Sequence, residues 1–148
     1  MYEENSEILP GLWQGGSEYS IDEEIMGNRV VIKKPFASVV TLNEDAPKMG
    51  LYVKELRFEF PDGPLNDYLL EQLGGVVNWA NREWKSGSRT LIRCQMGLNR
   101  SSLVTGLVLI NNGYSGTQAV DWIRAKRGPS TLQNAAYLNY LLNTVAKN

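Results

Sequence analysis

The chain has 148 residues and, at 15 basic against 16 acidic, a net charge of −1. That length fits one domain with a substantial core, and the near balance of charge sets aside a polybasic nucleic-acid or membrane binder, while leaving room for a local basic surface. A single cysteine forbids an intramolecular disulfide and fits a reducing compartment, and the absence of histidine excludes Cys-His and Ser-His nucleophile pairs as well as zinc sites of the Cys/His type.

In chain order, EILPGLWQGG predicts a short extended segment closed by Gly15-Gly16. SEYSIDEEIMGNR predicts a brief capped helix that Asn28 ends. FASVVTLNED, apolar and β-branched at Val39, Val40 and Thr41 before a run of turn formers, predicts a buried strand. GLYVKELRFEF alternates apolar and polar residues and predicts strand in part, up to Pro61, with PDGP as loop. Leu69, Leu70, Leu73, Val76, Val77 and Ala80 recur at helical spacing over residues 65–85, weakened locally by Gly74-Gly75 and ended by SGS. RTLIR is a short strand. SSLVTGLVLINNG is a buried helix stopping at Gly113. SGTQAVDWIRAKRG is a helix capped by Ser115 or Thr117 and ended at Gly128-Pro129, and TLQNAAYLNYLLNTVA is the last helix. Strands dominate the first half and helices the second, which implies one α/β domain over residues 1–148 with a small central sheet flanked by helices. No apolar run approaches the roughly 20 residues of a membrane-spanning helix. The acidic N-terminus has no hydrophobic signal core, so the expected location is cytoplasmic.

The chemistry concentrates in TLIRCQMGLNRSS, residues 90–102, which holds the one cysteine. A loop CQMGLNR between a strand and a helix brings successive backbone N–H groups to the helix N-terminus, where partial positive charge favours an anion. Gly97 lets the backbone turn inward, and the planar fork of Arg100 can hold two oxygens of a phosphate. The same field stabilises a thiolate, since cysteine pKa values fall to about 3.5–7.5 at such termini and beside cations. Ser101 or Ser102 can donate a hydroxyl hydrogen bond to the sulfur. The fitting reaction is attack of Cys94 on phosphorus and hydrolysis of the cysteinyl-phosphate, with Arg100 and the loop amides in place of a metal. The bland alternative is a buried structural thiol in an ordinary turn.

Cys94, Arg100 and Ser101, with Gly97 between, resemble the Cys-X5-Arg-Ser/Thr signature of the cysteine-dependent protein phosphatases, and of its branches most the compact dual-specificity one. ILPGLWQGG is similar to the opening strand and turn of that branch, FASVVTLNED to its next core strand, and the three apolar helices after the loop to its helical half. The resemblance implies that Cys94 is the nucleophile and that Gln95, Met96, Gly97, Leu98, Asn99 and Arg100 bind the substrate phosphate. It places the general acid upstream at Asp62, with Asp67 the alternative, better suited as a favourable charge on a first helical turn. Where the family usually has histidine, this chain has Arg93. Two roles are open to it: bracing the loop while lowering the thiol pKa, or pointing away.

Arg124, Lys126 and Arg127 read as partners of a helix dipole, or else as a substrate-steering patch. Gln133 and Asn134 read as an amide near the pocket or as a helix start. Trp79, Trp84, Trp122 and the tyrosines between 137 and 140 read as core or helix-face residues. The expectation is a monomeric dual-specificity phosphatase acting on phosphorylated protein, with no cofactor or metal and without nucleic-acid or membrane partners. The alternatives are an RNA 5′-triphosphatase, whose Gly-X-Asn-Arg is matched by GLNR, and a phosphate-binding pseudo-phosphatase. A phosphoinositide phosphatase fits less well, because the loop carries no lysine.

Overall fold

A computed structural model of the chain describes residues 5–17, 23–26, 29–32 and 36–146. The first hairpin joins β1 (Asn5–Leu9) to β2 (Leu12–Gly16) through Pro10 and Gly11. Proline pre-sets φ for the first turn position, and Gly11 takes the left-handed conformation of the second at φ +84°. The turn therefore sits at Pro10-Gly11. Gly15-Gly16 do not close the segment; they are the end of β2, in register with Arg93 and Cys94.

β3 (Glu23–Met26) pairs antiparallel with β4 (Arg29–Ile32). The helix expected over residues 17–29 is thus corrected to a hairpin, and its proposed end at Asn28 lies outside the described residues. The β-branched run Val30-Val31-Ile32 supplies strand propensity that a reading based on capping patterns underweights.

β5 (Ser38–Thr41), β6 (Lys54–Arg57) and β7 (Thr90–Cys94) complete a mixed sheet of order β1-β2-β7-β5-β6, parallel everywhere except at β1. β7 lies in the middle and is buried throughout. Its side chains alternate between the two faces of the sheet. Ile92 and Cys94 join the core beneath the helices. Leu91 joins Phe36 and Val39 in a second cluster, closed by Trp13, Met49 and Val53.

The helices occupy the first of these faces. α1 (Asp67–Lys85) starts where the Asn66 side chain accepts from the Leu69 N–H, and it buries Leu73, Val76, Val77 and Ala80 as the spacing predicts. Gly74-Gly75 do not interrupt it, because both face open space while the apolar stripe on the other side packs. α2 (Arg100–Asn111) is apolar nearly all round and lies at the centre of the helical layer. α3 (Gly116–Arg127) begins with a reciprocal Ser115–Gln118 capping box, and α4 (Ala135–Asn143) is capped by Asn134. The architecture is the expected α/β one, a five-stranded mixed sheet with four helices among the described residues.

Candidate active site

Cys94 ends β7 and α2 begins at Arg100, so residues 95–99 form the loop between them. The thiol is 3% exposed. It donates to the Ser101 hydroxyl at 3.3 Å and accepts from the Ser101 N–H at 3.4 Å. Ser102 does not share this role; its hydroxyl donates to the Leu98 carbonyl and accepts from Gln14.

The loop is held by its carbonyls. Ser17 N–H donates to the carbonyls of Cys94 (2.7 Å) and Gln95 (3.1 Å). Arg127 donates to those of Met96 (3.1 Å) and Gly97 (2.6 Å), and the Gln14 amide donates to the latter as well. Leu98 accepts from the Leu132 N–H at 2.9 Å. Five consecutive carbonyls thus point outward into the scaffold. In a trans peptide the following N–H points the opposite way, and the described chain has no cis bond. The amides of residues 95–99 are therefore turned toward the inside of the loop. Gly97 permits this with φ +71°, and a Cβ there would lie 2.7 Å from the Gly15 carbonyl oxygen. A Cβ on Gly16 would in turn meet the Gln95 carbonyl at 2.9 Å.

A pocket of about 180 Å³ opens over the loop, lined by Asp62, Cys94, Gln95, Met96, Leu98, Asn99 and Arg100. Arg100 donates to the Phe60 carbonyl at 2.9 Å, which ties the loop to the segment that carries Asp62. The Asp62 carboxylate accepts from Asn99 at 2.8 Å through one oxygen and from Asn134 at 2.7 Å through the other. Tyr137, fully buried, donates its hydroxyl to the Pro61 carbonyl and accepts from the Gly63 N–H. Burial pushes the Tyr137 phenol up, and Asp62 adds to that, against the opposing bond from Gly63. Asp67 sits in the first turn of α1, as expected, and does not line this pocket.

Arg93 points away from the thiol. It is 1% exposed and lies on the opposite face of the sheet, where it donates to Thr41 Oγ1 (2.9 Å) and the Pro47 carbonyl (2.6 Å) and pairs with Glu55 (3.2 Å). Desolvation lowers the Arg93 pKa, against the opposing charge of Glu55. Burial works to raise the Glu55 carboxyl, but bonds from Thr41 and Met49 and the charges of Arg57 and Arg93 outweigh it and hold the pKa below the usual carboxylate value.

Arg124, Lys126 and Arg127 do stand in the last turn of α3, where the helix-dipole reading puts them, and the correction concerns the substrate-steering patch. Arg124 donates to the carbonyls of Thr131 and Leu132, and so supports Leu132 in the left-handed region at φ +64°. Arg127 is buried under the loop, bonded to Ser6 and Gln14 besides Met96 and Gly97. Neither is a surface patch. The Lys126 ammonium lies over the Trp122 ring, 5.4 Å from its centroid. Gln133 is exposed and bonds to Pro129, whereas Asn134 both caps α4 and reaches Asp62. Sequence reasoning missed Gln14 and Ser17, and it read Arg127 and the core residue Tyr137 without their bonds to the loop and to the Asp62 turn. Only Gly15-Gly16 carried a local signal, a glycine pair beside which another backbone can pass closely. Among the described residues no group of acidic, cysteine or histidine side chains could hold a metal, and no helix is long and apolar enough to cross a membrane.

No family model matches the chain. A stretch of 59 residues, 38% of this chain, is 39% identical to cyclin-dependent kinase inhibitor 3 of Rattus norvegicus and spans 28% of that protein's length. The fold superposes on human DUSP28 with a TM-score of 0.78 at 22% identity, covering 95% of this chain and 92% of that one. It superposes on a mouse putative dual specificity phosphatase, complexed with zinc tungstate, with a TM-score of 0.77 at 22% identity, covering 93% and 84%. With its Cys-X5-Arg-Ser loop closing the central strand, the chain has the fold of the dual-specificity branch of the cysteine-dependent protein phosphatases.

Proposed function

We propose that the protein is a cysteine-dependent protein phosphatase that hydrolyses phosphotyrosine and phosphoserine or phosphothreonine monoesters. The observation that carries this reading is the loop itself: five outward carbonyls leave their partner amides facing a pocket that also holds Cys94, Arg100 and Asp62. An oxyanion in that pocket meets N–H donors, the α2 N-terminus and a guanidinium. The Cys94 thiolate attacks phosphorus, and the bond from phosphorus to the ester oxygen breaks as Asp62 gives that oxygen its proton. A water then attacks the phosphorus of the cysteinyl-phosphate and loses a proton to Asp62. The P–S bond breaks, inorganic phosphate forms, and the Ser101 hydroxyl, 3.3 Å away, turns its hydrogen to the departing thiolate.

The Gly-X-Asn-Arg sequence favours a second reading, an RNA 5′-triphosphatase. Against it stand Asp62 and the adjoining hollow of about 490 Å³, where Glu44, Asp45 and Glu59 face the same Gln95 and Arg100. Three carboxylates beside the phosphate site oppose a polyanionic substrate. The deciding experiment compares the parent and Cys94→Ser on 4-nitrophenyl phosphate, with orthovanadate binding measured alongside. Turnover is expected in the parent and lost in the variant, while vanadate binding persists because the amides and Arg100 remain. A parent that binds vanadate without turnover would be a phosphate-binding module, and a variant with near-parental turnover would rule out the covalent route. Preference of the parent for an RNA 5′-triphosphate over aryl phosphates would install the second reading.

A further inference from the structure

Asp62 is exposed on a turn, where a carboxylate ordinarily samples several rotamers in water. Here both of its oxygens are engaged by side-chain amides that come from two other segments. Asn99 belongs to the nucleophile loop and donates at 2.8 Å; Asn134 belongs to the α3–α4 connection and donates at 2.7 Å. The two asparagines are also joined to each other, since the Asn134 N–H donates to the Asn99 side-chain oxygen at 3.0 Å. Asn134 further donates to the Gly63 carbonyl. Tyr137 pins the backbone on either side of Asp62.

Asn99 gives the independent clue. It is the N-cap residue of α2, a position that asparagine favours because its side chain can accept from the free N–H groups of the first turn. It makes no such bond. Its amide is spent on Asp62 and Asn134 instead, and the first-turn N–H groups of α2 are left without that cap beside the phosphate pocket. A carboxylate oxygen has room for more than one hydrogen, so two amide bonds do not block proton exchange with a substrate.

We propose that Asn99 and Asn134 are positioning residues that clamp Asp62 over the phosphate pocket before substrate arrives. The proposal rests on Asp62 being the general acid. The clamp acts on how the proton is delivered and hardly on how the phosphate is held. Its loss should therefore be felt most where the leaving oxygen is most basic. Displacement of a reacting group by about 1 Å can cost on the order of 10²-fold.

The test uses Asn99→Ser, Asn134→Ser and their combination, with Asp62→Asn as reference. Serine is too short to reach Asp62, yet at Asn134 it keeps a cap on α4. kcat/KM is measured on phenyl phosphate and on an aryl phosphate whose leaving phenol is strongly acidic, and thermal melts verify folding. The combined variant is expected to lose about tenfold or more on phenyl phosphate beyond its loss on the activated ester, as general-acid contributions of roughly 10²–10⁴ allow. In the Asp62→Asn background the same two changes should add no further selective loss. Equal losses on both esters, or losses that add fully to Asp62→Asn, would overturn the clamp and leave the acid assignment standing. If Asp62→Asn itself hydrolyses phenyl phosphate as the parent does, the acid assignment falls and takes the clamp with it.

Discussion

Arg93 shows how one residue's role is decided by which side of a strand it occupies. It directly precedes Cys94 in sequence, yet successive residues of β7 face opposite ways, so its charge is spent on Glu55, Thr41 and Pro47. Together with Arg57, which donates to the carbonyls of Asn43, Glu44 and Ala46, it fixes the segment whose Glu44 and Asp45 line the hollow beside the Cys94 pocket. Arg93→Met is therefore expected to leave the pH dependence of Cys94 alkylation by iodoacetamide unchanged. It should lower stability by about 1.5–3 kcal/mol, the worth of hydrogen bonds to a charged group, as read by urea unfolding. A rise in the thiol pKa would show that the charge reaches the sulfur after all. The residues of the signature itself, Cys94 to Ser101, were legible because they are neighbours along the chain. Arg127 and Gln14 were not, because their bonds to Gly97 cross 30 and 83 positions and no local pattern marks them.

At the scale of the element, the strand–loop–helix unit owes its shape to what surrounds it. Gly97 is its most constrained position. Its left-handed φ costs a residue with a Cβ about 1–2 kcal/mol, and the added carbon would press on the Gly15 carbonyl and on Arg127. Gly97→Ala is expected to displace the carbonyls of residues 96 and 97 and with them the amides on the other side. Vanadate affinity should fall along with turnover, unlike the result expected for Cys94→Ser. Retained affinity with normal turnover would mean that the loop accommodates the methyl group and that the carbonyl braces do not set its shape. Helices with an apolar stripe and a cap, α1 and α3, were readable from spacing alone. The β3–β4 hairpin was misread because a short segment with capping residues satisfies both patterns, and pairing with a neighbour decides between them.

For the molecule as a whole, the helices cover one face of the sheet and the buried ion pair stabilises the other. Glu55 has a lower pKa folded than unfolded, so its contribution to stability is complete above the unfolded value, about 4.3, and fades as pH falls through the lower folded one. Glu55→Gln should cost about 3 kcal/mol near neutrality, since it removes the carboxylate paired with the buried Arg93 guanidinium. The gap between parent and variant in urea melts should narrow as the pH is taken from 7 toward 3; a gap that stays constant would show that the carboxyl's charge does not matter there. The sequence by itself determined the α/β class, most helices, the central strand and the candidate nucleophile loop, because periodicity and a contiguous motif act over a few residues. Only the tertiary structure decided the face on which Arg93 lies, the burial of Arg127 beneath the loop, and the meeting of Asn99 with Asn134 at Asp62. Those contacts join segments 30 to 72 positions apart. Their energy is gained only once the sheet and helices have packed, so no local stretch of sequence encodes them.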